Sequence, residues 1–388
     1  MNKEIIIYSG IQPGKKGTGN FVSFFINKFH EHNIKFNLVS YKTPNGGFLV
    51  KIAKKLGIIK ILRSIYFMIV RGLSPQGEII DSIVIIFHPQ SIGLKITENL
   101  ILNNKVYIYV LDSFFFCKKS YNYIEGNNGC LKCITRPQAS IENNCDFLLS
   151  VESDKDYENF QQVVSSNLDS ICFLTQNHNH SLLLKKKFGE TIDIIELGML
   201  IDLDEESFFN HKNRNLEYDF VFHNTNLEAK GVLYFIELAK QMPKYRFLIP
   251  FSKSDIHYKK NEINYIDNLE FISMTWETGL KEAIRKCKIV INPSLWSSPV
   301  EGALLKSIKN NGCVAVVPVD YSFQKEIPSD TVIHLEDNIS ESVKVLNNVI
   351  QSHALITTYK LNSSKWLGNY TKSTARNFDD FIQNNFCQ

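Results

Sequence analysis

The sequence predicts an α/β protein made of two doubly wound parallel domains. Three observations carry that expectation. A chain of 388 residues has the length of two or three domains. Apolar runs of strand length alternate with helical patterns almost throughout, which is the rhythm of parallel α/β architecture. That rhythm stops at a polar, acidic stretch over 201–217 and then restarts.

The strand candidates follow in order. Ile5–Tyr8 is a short β-branched run that breaks at a Gly/Lys-rich loop (Gly10 to Gly19), after which Phe21–Ile26 opens a helix. Phe36–Ser40 comes next and ends at the Pro44-Asn45-Gly46-Gly47 turn. Ser82–Phe87, Val106–Leu111, Phe147–Val151 and Ser170–Leu174 complete the first series. The second series is Tyr218–Phe222, Tyr245–Ile249, Leu269–Ile272, Lys288–Ile291 and Val314–Pro318, with a helix over Gly231 to Lys240. Near-continuous apolar runs of this length suit strands covered on both faces. The crevices at the carboxyl ends of such sheets are the default place for a ligand.

Composition narrows the class. With 44% hydrophobic and 21% charged residues the chain is too apolar to be disordered. No run reaches the roughly 18 uncharged apolar residues of a spanning helix. Met1–Gly10 reads as a first strand and not a signal peptide, so the expectation is a cytoplasmic protein. A net charge of +3 argues against a dedicated nucleic-acid binder. Eight cysteines without a secretion signal suggest reduced thiols or a metal site before disulfides.

Three motifs carry chemistry. The first is the loop Gly14-Lys15-Lys16-Gly17-Thr18-Gly19-Asn20 between strand and helix. Its glycines let backbone approach a diphosphate at a helix N-terminus, although a plain tight turn reads as well. Neither the dinucleotide fingerprint nor the P-loop spacing is present. In the second, Phe222 to Val232, a strand end leads to Lys230-Gly231 opening a helix, an arrangement that suits a phosphate. The alternative is a surface lysine on a first turn. In the third, Asn292 to Gly312, a strand ends at Pro293 and Glu301 sits at a helix start. That carboxylate can accept paired hydrogen bonds from sugar or ribose hydroxyls, or simply complement the helix dipole.

Together the second and third motifs resemble those of GT-B fold glycosyltransferases in the large family 4 group of retaining enzymes. Lys230-Gly231 matches the lysine of the family's Arg-x4-Lys-Gly segment. Ile194–Asp202 resembles its interdomain Pro-Asn-Gly-Val-Asp stretch, and Lys365-Trp366 its closing aromatic segment before a last helix. The resemblance implies two Rossmann-like domains facing a central cleft, an acceptor-side domain over 1–202 and a nucleotide-sugar-binding domain over 203–366. A helix over 367–388 would cross back to the first domain. It also implies donor binding by Gly17, Gly19, Thr225, Lys230, Gly231, Glu301 and Lys306. Thr225 stands where the family has its arginine. Anchored on Trp296 and Leu304-Leu305, the two family glutamates fall at Ser298 and Lys306, so Glu301 takes over a hydroxyl-binding role or Lys306 faces the diphosphate.

In the first domain His88 follows a strand end, where it would meet donor sugar or acceptor hydroxyl. Asp112 follows the next strand in a segment resembling the family's His-Asp pair, with Leu111 in place of the His. With Glu301, these are the candidate catalytic residues; capping or packing at a strand end is the other reading of His88 and Asp112. Cys117, Cys130, Cys133 and Cys145 have the spacing C-x12-C-x2-C-x11-C, which fits either a structural zinc or reduced packing cysteines. A basic amphipathic stretch over 48–71 would lie on anionic lipid or pack on the first sheet. The resemblance therefore implies transfer of a hexose-type sugar from a nucleotide-sugar to a lipid-linked glycan in bacterial surface polysaccharide (O-antigen or capsule) biosynthesis. The enzyme would be peripheral on the inner membrane face and need no catalytic divalent metal. A nucleotide-sugar epimerase on the same fold and a non-catalytic glycan- or lipid-binding protein stay open as alternatives.

Overall fold

The computed structural model describes residues 3–15, 17–41, 69, 79–147, 152–201, 218–256 and 266–387. Several features named above fall outside them. These are the Pro44–Gly47 turn, the basic stretch 48–71 (Ile69 apart), residues 148–151 of one strand candidate, and the acidic stretch from Asp202 to 217. The chain divides into two compact units. One holds Met1–Tyr121, Leu131–Leu200 and Thr374–Gln388; the other holds Asn122–Cys130 and Ile201–Ser373.

The first unit is built on a six-stranded parallel sheet, ordered β2-β1-β3-β4-β5-β6. Its strands are β1 (Ile5–Ser9), β2 (Asn37–Ser40), β3 (Ile83–Phe87), β4 (Lys105–Tyr109), β5 (Ile171–Thr175) and β6 (Asp193–Glu196). β-Branched residues dominate β1 and β3, and all five residues of β5 are buried, as a sheet covered on both faces requires. The helix Gly17–Glu31 buries Val22, Phe25 and Phe29. Phe25 meets Phe87, Tyr109 and Phe378 edge-on, with ring centroids 4.9, 5.3 and 5.1 Å away. Because β2 lies on one side of β1 and β3 on the other, the strand order reverses at β1/β3. The loops after these two strands, one glycine-rich and one carrying His88, lie at that switch point.

The second unit repeats the plan, with strand order β12-β11-β10-β7-β8-β9, again all parallel. The strands are β7 (Phe220–Phe222), β8 (Phe247–Ile249), β9 (Leu269–Phe271), β10 (Ile289–Asn292), β11 (Val314–Val316) and β12 (Ile333–His334). The reversal falls between β7 and β10, so the two loops that end these strands, 223–230 and 293–301, open at one switch point.

The sequence reading differs from this fold in a few places. It has no strand at β6 or β12, and Phe147 lies outside any strand. The last helix is one continuous element, His353–Phe386, so Trp366 lies inside it and not before it. No proline interrupts that run, and Trp366 stacks on Tyr370 one turn on, at 5.3 Å and 16°.

Candidate functional site

The second unit gathers its polar side chains at the β7/β10 switch point. β7 ends at buried Phe222, and His223 and Asn224 follow. Glu228–Lys230 forms a single 3-10 turn, and Gly231 then starts the helix Val232–Gln241 in the left-handed region, with φ 77°. A Cβ on Gly231 would stand 1.8 Å from the Pro293 carbonyl oxygen, so only glycine brings these two loops together. Gly231→Ala is expected to destabilise the second unit by at least about 2 kcal/mol through the left-handed φ and the backbone clash. Urea unfolding followed by tryptophan fluorescence reads it, because all three tryptophans (Trp276, Trp296, Trp366) belong to that unit. An unchanged midpoint would refute the close approach.

Through this contact Lys230 meets Glu301. The two side chains, 10% and 7% exposed, form an ion pair between Nζ and Oε1. The ammonium also lies 4.5 Å from the centre of the Trp296 ring. Oε2 of Glu301 accepts from Ser294 Oγ at 2.7 Å, Asn224 Nδ2 at 3.2 Å and Gln324 Nε2 at 3.3 Å. Glu301 is the N-cap of the helix Gly302–Asn310, yet its side chain makes no capping bond. The carboxylate is spent on the lysine and its polar collar, so the helix-dipole reading does not account for it.

A second group flanks this pair. His223 Nδ1 lies 2.7 Å from Ser307 Oγ, whose own proton goes to the Ala303 carbonyl at 2.9 Å. The imidazole is therefore the donor to Ser307. Burial, with Lys306 nearby, pushes the His223 pKa down to about 3, so the ring is neutral at physiological pH. It stacks on Trp276 at 5.5 Å and 17°, and Lys306 Nζ lies 5.1 Å from that indole. Lys306 is thus an aromatic-bound cation. Thr225 is exposed, its amide bonded to Asn224 Oδ1 at 2.9 Å. Sequence reading missed Asn224, Gln324, His223 and Trp276, which carry no motif spacing of their own.

In the first unit Gly17 opens the first helix, and the Gly19 carbonyl takes the Gly14 amide at 2.9 Å, closing the loop at the helix N-terminus. His88 follows β3 in the left-handed region, φ 57°, with Nε2 4.0 Å from Asp112 Oδ2. Non-glycine residues seldom occupy that region, and such outliers gather at functional sites. Burial pushes the His88 pKa down to about 4. Asp112 accepts from Gln90 Nε2 at 2.8 Å and from the Phe114 amide at 2.9 Å. His88 and Asp112 are therefore brought together, with Asp112 held in place from two sides.

The cysteines are placed differently. Cys117 is buried, Cys130, Cys133 and Cys145 are half-buried, and none is in a disulfide. Cys130 belongs to the second unit and the other three to the first. Among the described residues, no three or more His, Cys, Asp or Glu side chains are gathered as a group that could hold a metal ion. Among the same residues no helix is long and apolar enough to cross a membrane.

No protein-family model matches this sequence, and no curated protein sequence matches it. Solved structures do. Sucrose-phosphate synthase from Thermosynechococcus elongatus aligns over 98% of this chain and 99% of its own, at 12% identity and a TM-score of 0.66. WaaG, a glycosyltransferase involved in lipopolysaccharide biosynthesis, aligns over 97% of this chain and 99% of its own, at 11% identity and a TM-score of 0.57. The chain has the GT-B fold. A third GT-B structure, Anabaena HepE in complex with UDP and glucose, aligns over 98% of this chain and 99% of its own, at 9% identity and a TM-score of 0.58. At identities this low the likeness establishes fold and not activity.

Proposed function

We propose that this chain is a retaining glycosyltransferase of the family 4 type. It moves a hexose-type sugar from a nucleotide-sugar to a lipid-linked glycan in bacterial surface polysaccharide assembly. The observation that supports this most is the Lys230–Glu301 pair at the β7/β10 switch point, with Asn224, Ser294 and Gln324 around the carboxylate. An ammonium has three N–H donors, so Lys230 can bridge the Glu301 carboxylate and a phosphate oxygen at once. Glu301 can accept from sugar hydroxyls, and the N-terminus of the helix Gly302–Asn310 adds positive potential. A nucleoside diphosphate bearing a sugar satisfies all three. Among the similar structures, that of HepE holds UDP and glucose.

In the reaction, the bond between the anomeric carbon and the diphosphate oxygen breaks. The acceptor oxygen bonds to that carbon on the same face, and its proton ends on the departing diphosphate. Lys230 and the helix dipole stabilise charge as it develops on the leaving group. His88 and Asp112 would contact the acceptor, His88 as a neutral ring at pH 7. The basic sequence 48–71 is the reason to place the acceptor at an anionic membrane surface.

Incubation of the purified full chain with a panel of nucleotide-sugars and lipid-linked acceptors tests this reading. Transfer is expected, and Lys230→Ala should lower kcat/KM by about a hundred-fold or more. Absence of both nucleotide binding and transfer across the panel would sink the proposal. Donor interconversion without acceptor would point instead to epimerisation.

A further inference from the structure

The segment Asn122–Cys130 leaves the first unit after Tyr121, belongs to the second, and returns at Leu131. We infer that it positions the donor loop, with Asn122 as the positioning residue. The inference rests on the donor-site reading for its functional consequence and on geometry for the rest.

Asn122 is fully buried. Its amide grips one residue of the 293–301 loop from both sides. Oδ1 accepts from the Ser297 amide at 3.0 Å, and Nδ2 donates to Ser297 Oγ at 3.0 Å. Ser297 Oγ in turn donates to the Asp320 carbonyl at 2.7 Å. Further along the segment the Gly129 amide donates to the Leu295 carbonyl at 3.1 Å. Gly129 has φ 60°, and a Cβ there would stand 2.5 Å from Val319 Cγ1, so the segment lies tight against the unit. The Cys130 amide bonds back to the Asn122 carbonyl at 2.6 Å, which closes the segment on itself. Asn128 adds an outer contact, its Nδ2 donating to Asp337 Oδ1 at 2.9 Å.

The residues on either side of Ser297 connect this grip to the site. Trp296 lies under the Lys230 ammonium. Ser298 Oγ donates to Gln324 Oε1 at 2.8 Å, and Gln324 Nε2 reaches Glu301 at 3.3 Å. Asn122 touches neither Lys230 nor Glu301 in these contacts, yet it fixes the peptide that carries the aromatic floor of one and leads to the other. A loop held from a distant segment is a supporting shell of the kind that keeps binding groups in place. A side-chain amide is suited to it, because one group supplies both the acceptor for a backbone N–H and the donor for a hydroxyl.

The test uses the full chain carrying Asn122→Ala, with Asn122→Asp as the partial replacement that keeps the acceptor for the Ser297 amide. Hydrogen exchange over 294–301, with no nucleotide present, reads the positioning directly. The alanine variant should exchange there at least about ten-fold faster, with β7 and β10 unchanged and the aspartate variant between. Affinity for UDP, or for whichever nucleoside diphosphate the wild type binds, should fall about ten-fold in the alanine variant. Unchanged exchange over 294–301 overturns the positioning role, and so does faster exchange throughout β7 and β10, which marks a merely structural residue. Faster loop exchange with unaltered nucleotide affinity overturns its link to the site. A wild type that binds no nucleotide refutes the donor reading, while the exchange measurement still decides whether Asn122 holds the loop.

Discussion

Glu301→Ala is expected to lower the stability of the second unit by about 3–5 kcal/mol at neutral pH, a large part of a domain's usual stability. The cost is electrostatic. The Lys230 side chain is only 10% exposed, and Glu301 is its ion-pair partner at 7% exposure. Removing the carboxylate leaves the ammonium buried over Trp296 and takes the acceptor from Ser294 and Gln324, while Asn224 Nδ2 keeps its bond to Ser294 Oγ at 2.9 Å. Glu301→Gln keeps an acceptor for those donors but removes the negative charge beside the lysine, so it should cost somewhat less. Lys230→Met leaves the carboxylate with its hydrogen bonds and should cost less than Glu301→Ala. The double variant Lys230→Met/Glu301→Leu should recover most of the loss, since an apolar pair replaces the ion pair without desolvating a charge. Tryptophan fluorescence in urea isolates the second unit, and a double-mutant cycle gives the coupling. Singles that cost under about 1 kcal/mol, or a double that costs their sum, would show that the pair is solvated and not a buried unit. The same cycle explains why function would tolerate so expensive a pair: an ammonium already held beside an acceptor is ready for a phosphate.

Both sheets were legible because buried parallel strands are near-continuous apolar runs, and such runs need no long-range information to recognise. β12 is the counterexample: Ile333–His334 has only two residues and pairs through a single neighbour, β11. β6 was hidden for another reason. At the sheet edge its residues are half-buried or exposed, so Asp193–Glu196 shows no apolar run. At the site, Lys230 and Glu301 could be found because each sits at a helix start after a strand, a place with its own chemistry. Their partners could not. Gln324 reaches Glu301 across 23 residues, and Asn122 reaches Ser297 across 175, polar residues in a short 3-10 helix and an irregular stretch that resemble any solvent-facing loop.

Acid should unfold the first unit earlier than its carboxylates require, and His180→Leu should delay it. His180 is wholly buried in the first turn of the helix His178–Phe188, and among the described residues neither ring nitrogen has a hydrogen-bond partner. Burial pushes its pKa from 6.5 down to about 4, and His88 is pushed to about 4 as well. Above about pH 6.5 both rings are neutral whether the chain is folded or unfolded, so they leave stability independent of pH. As pH falls below 6.5 the unfolded chain takes up protons that the folded chain refuses, and unfolding becomes easier until the folded rings titrate near pH 4. At pH 5 that difference is worth roughly 2 kcal/mol for each histidine. His223, pushed to about 3, imposes the same slope on the second unit and extends it about one pH unit lower. Leucine at 180 removes two unpartnered polar atoms from the interior, so it should be neutral or stabilising by about 1 kcal/mol at pH 7. Its advantage should grow by roughly 2 kcal/mol at pH 5, because the variant has no proton to gain there. Hydrogen exchange of the β3, β4 and β5 amides measures this, since the tryptophans report only the other unit. An advantage that is the same at pH 7 and pH 5 would mean that His180 titrates normally in the folded chain, with water reaching the ring.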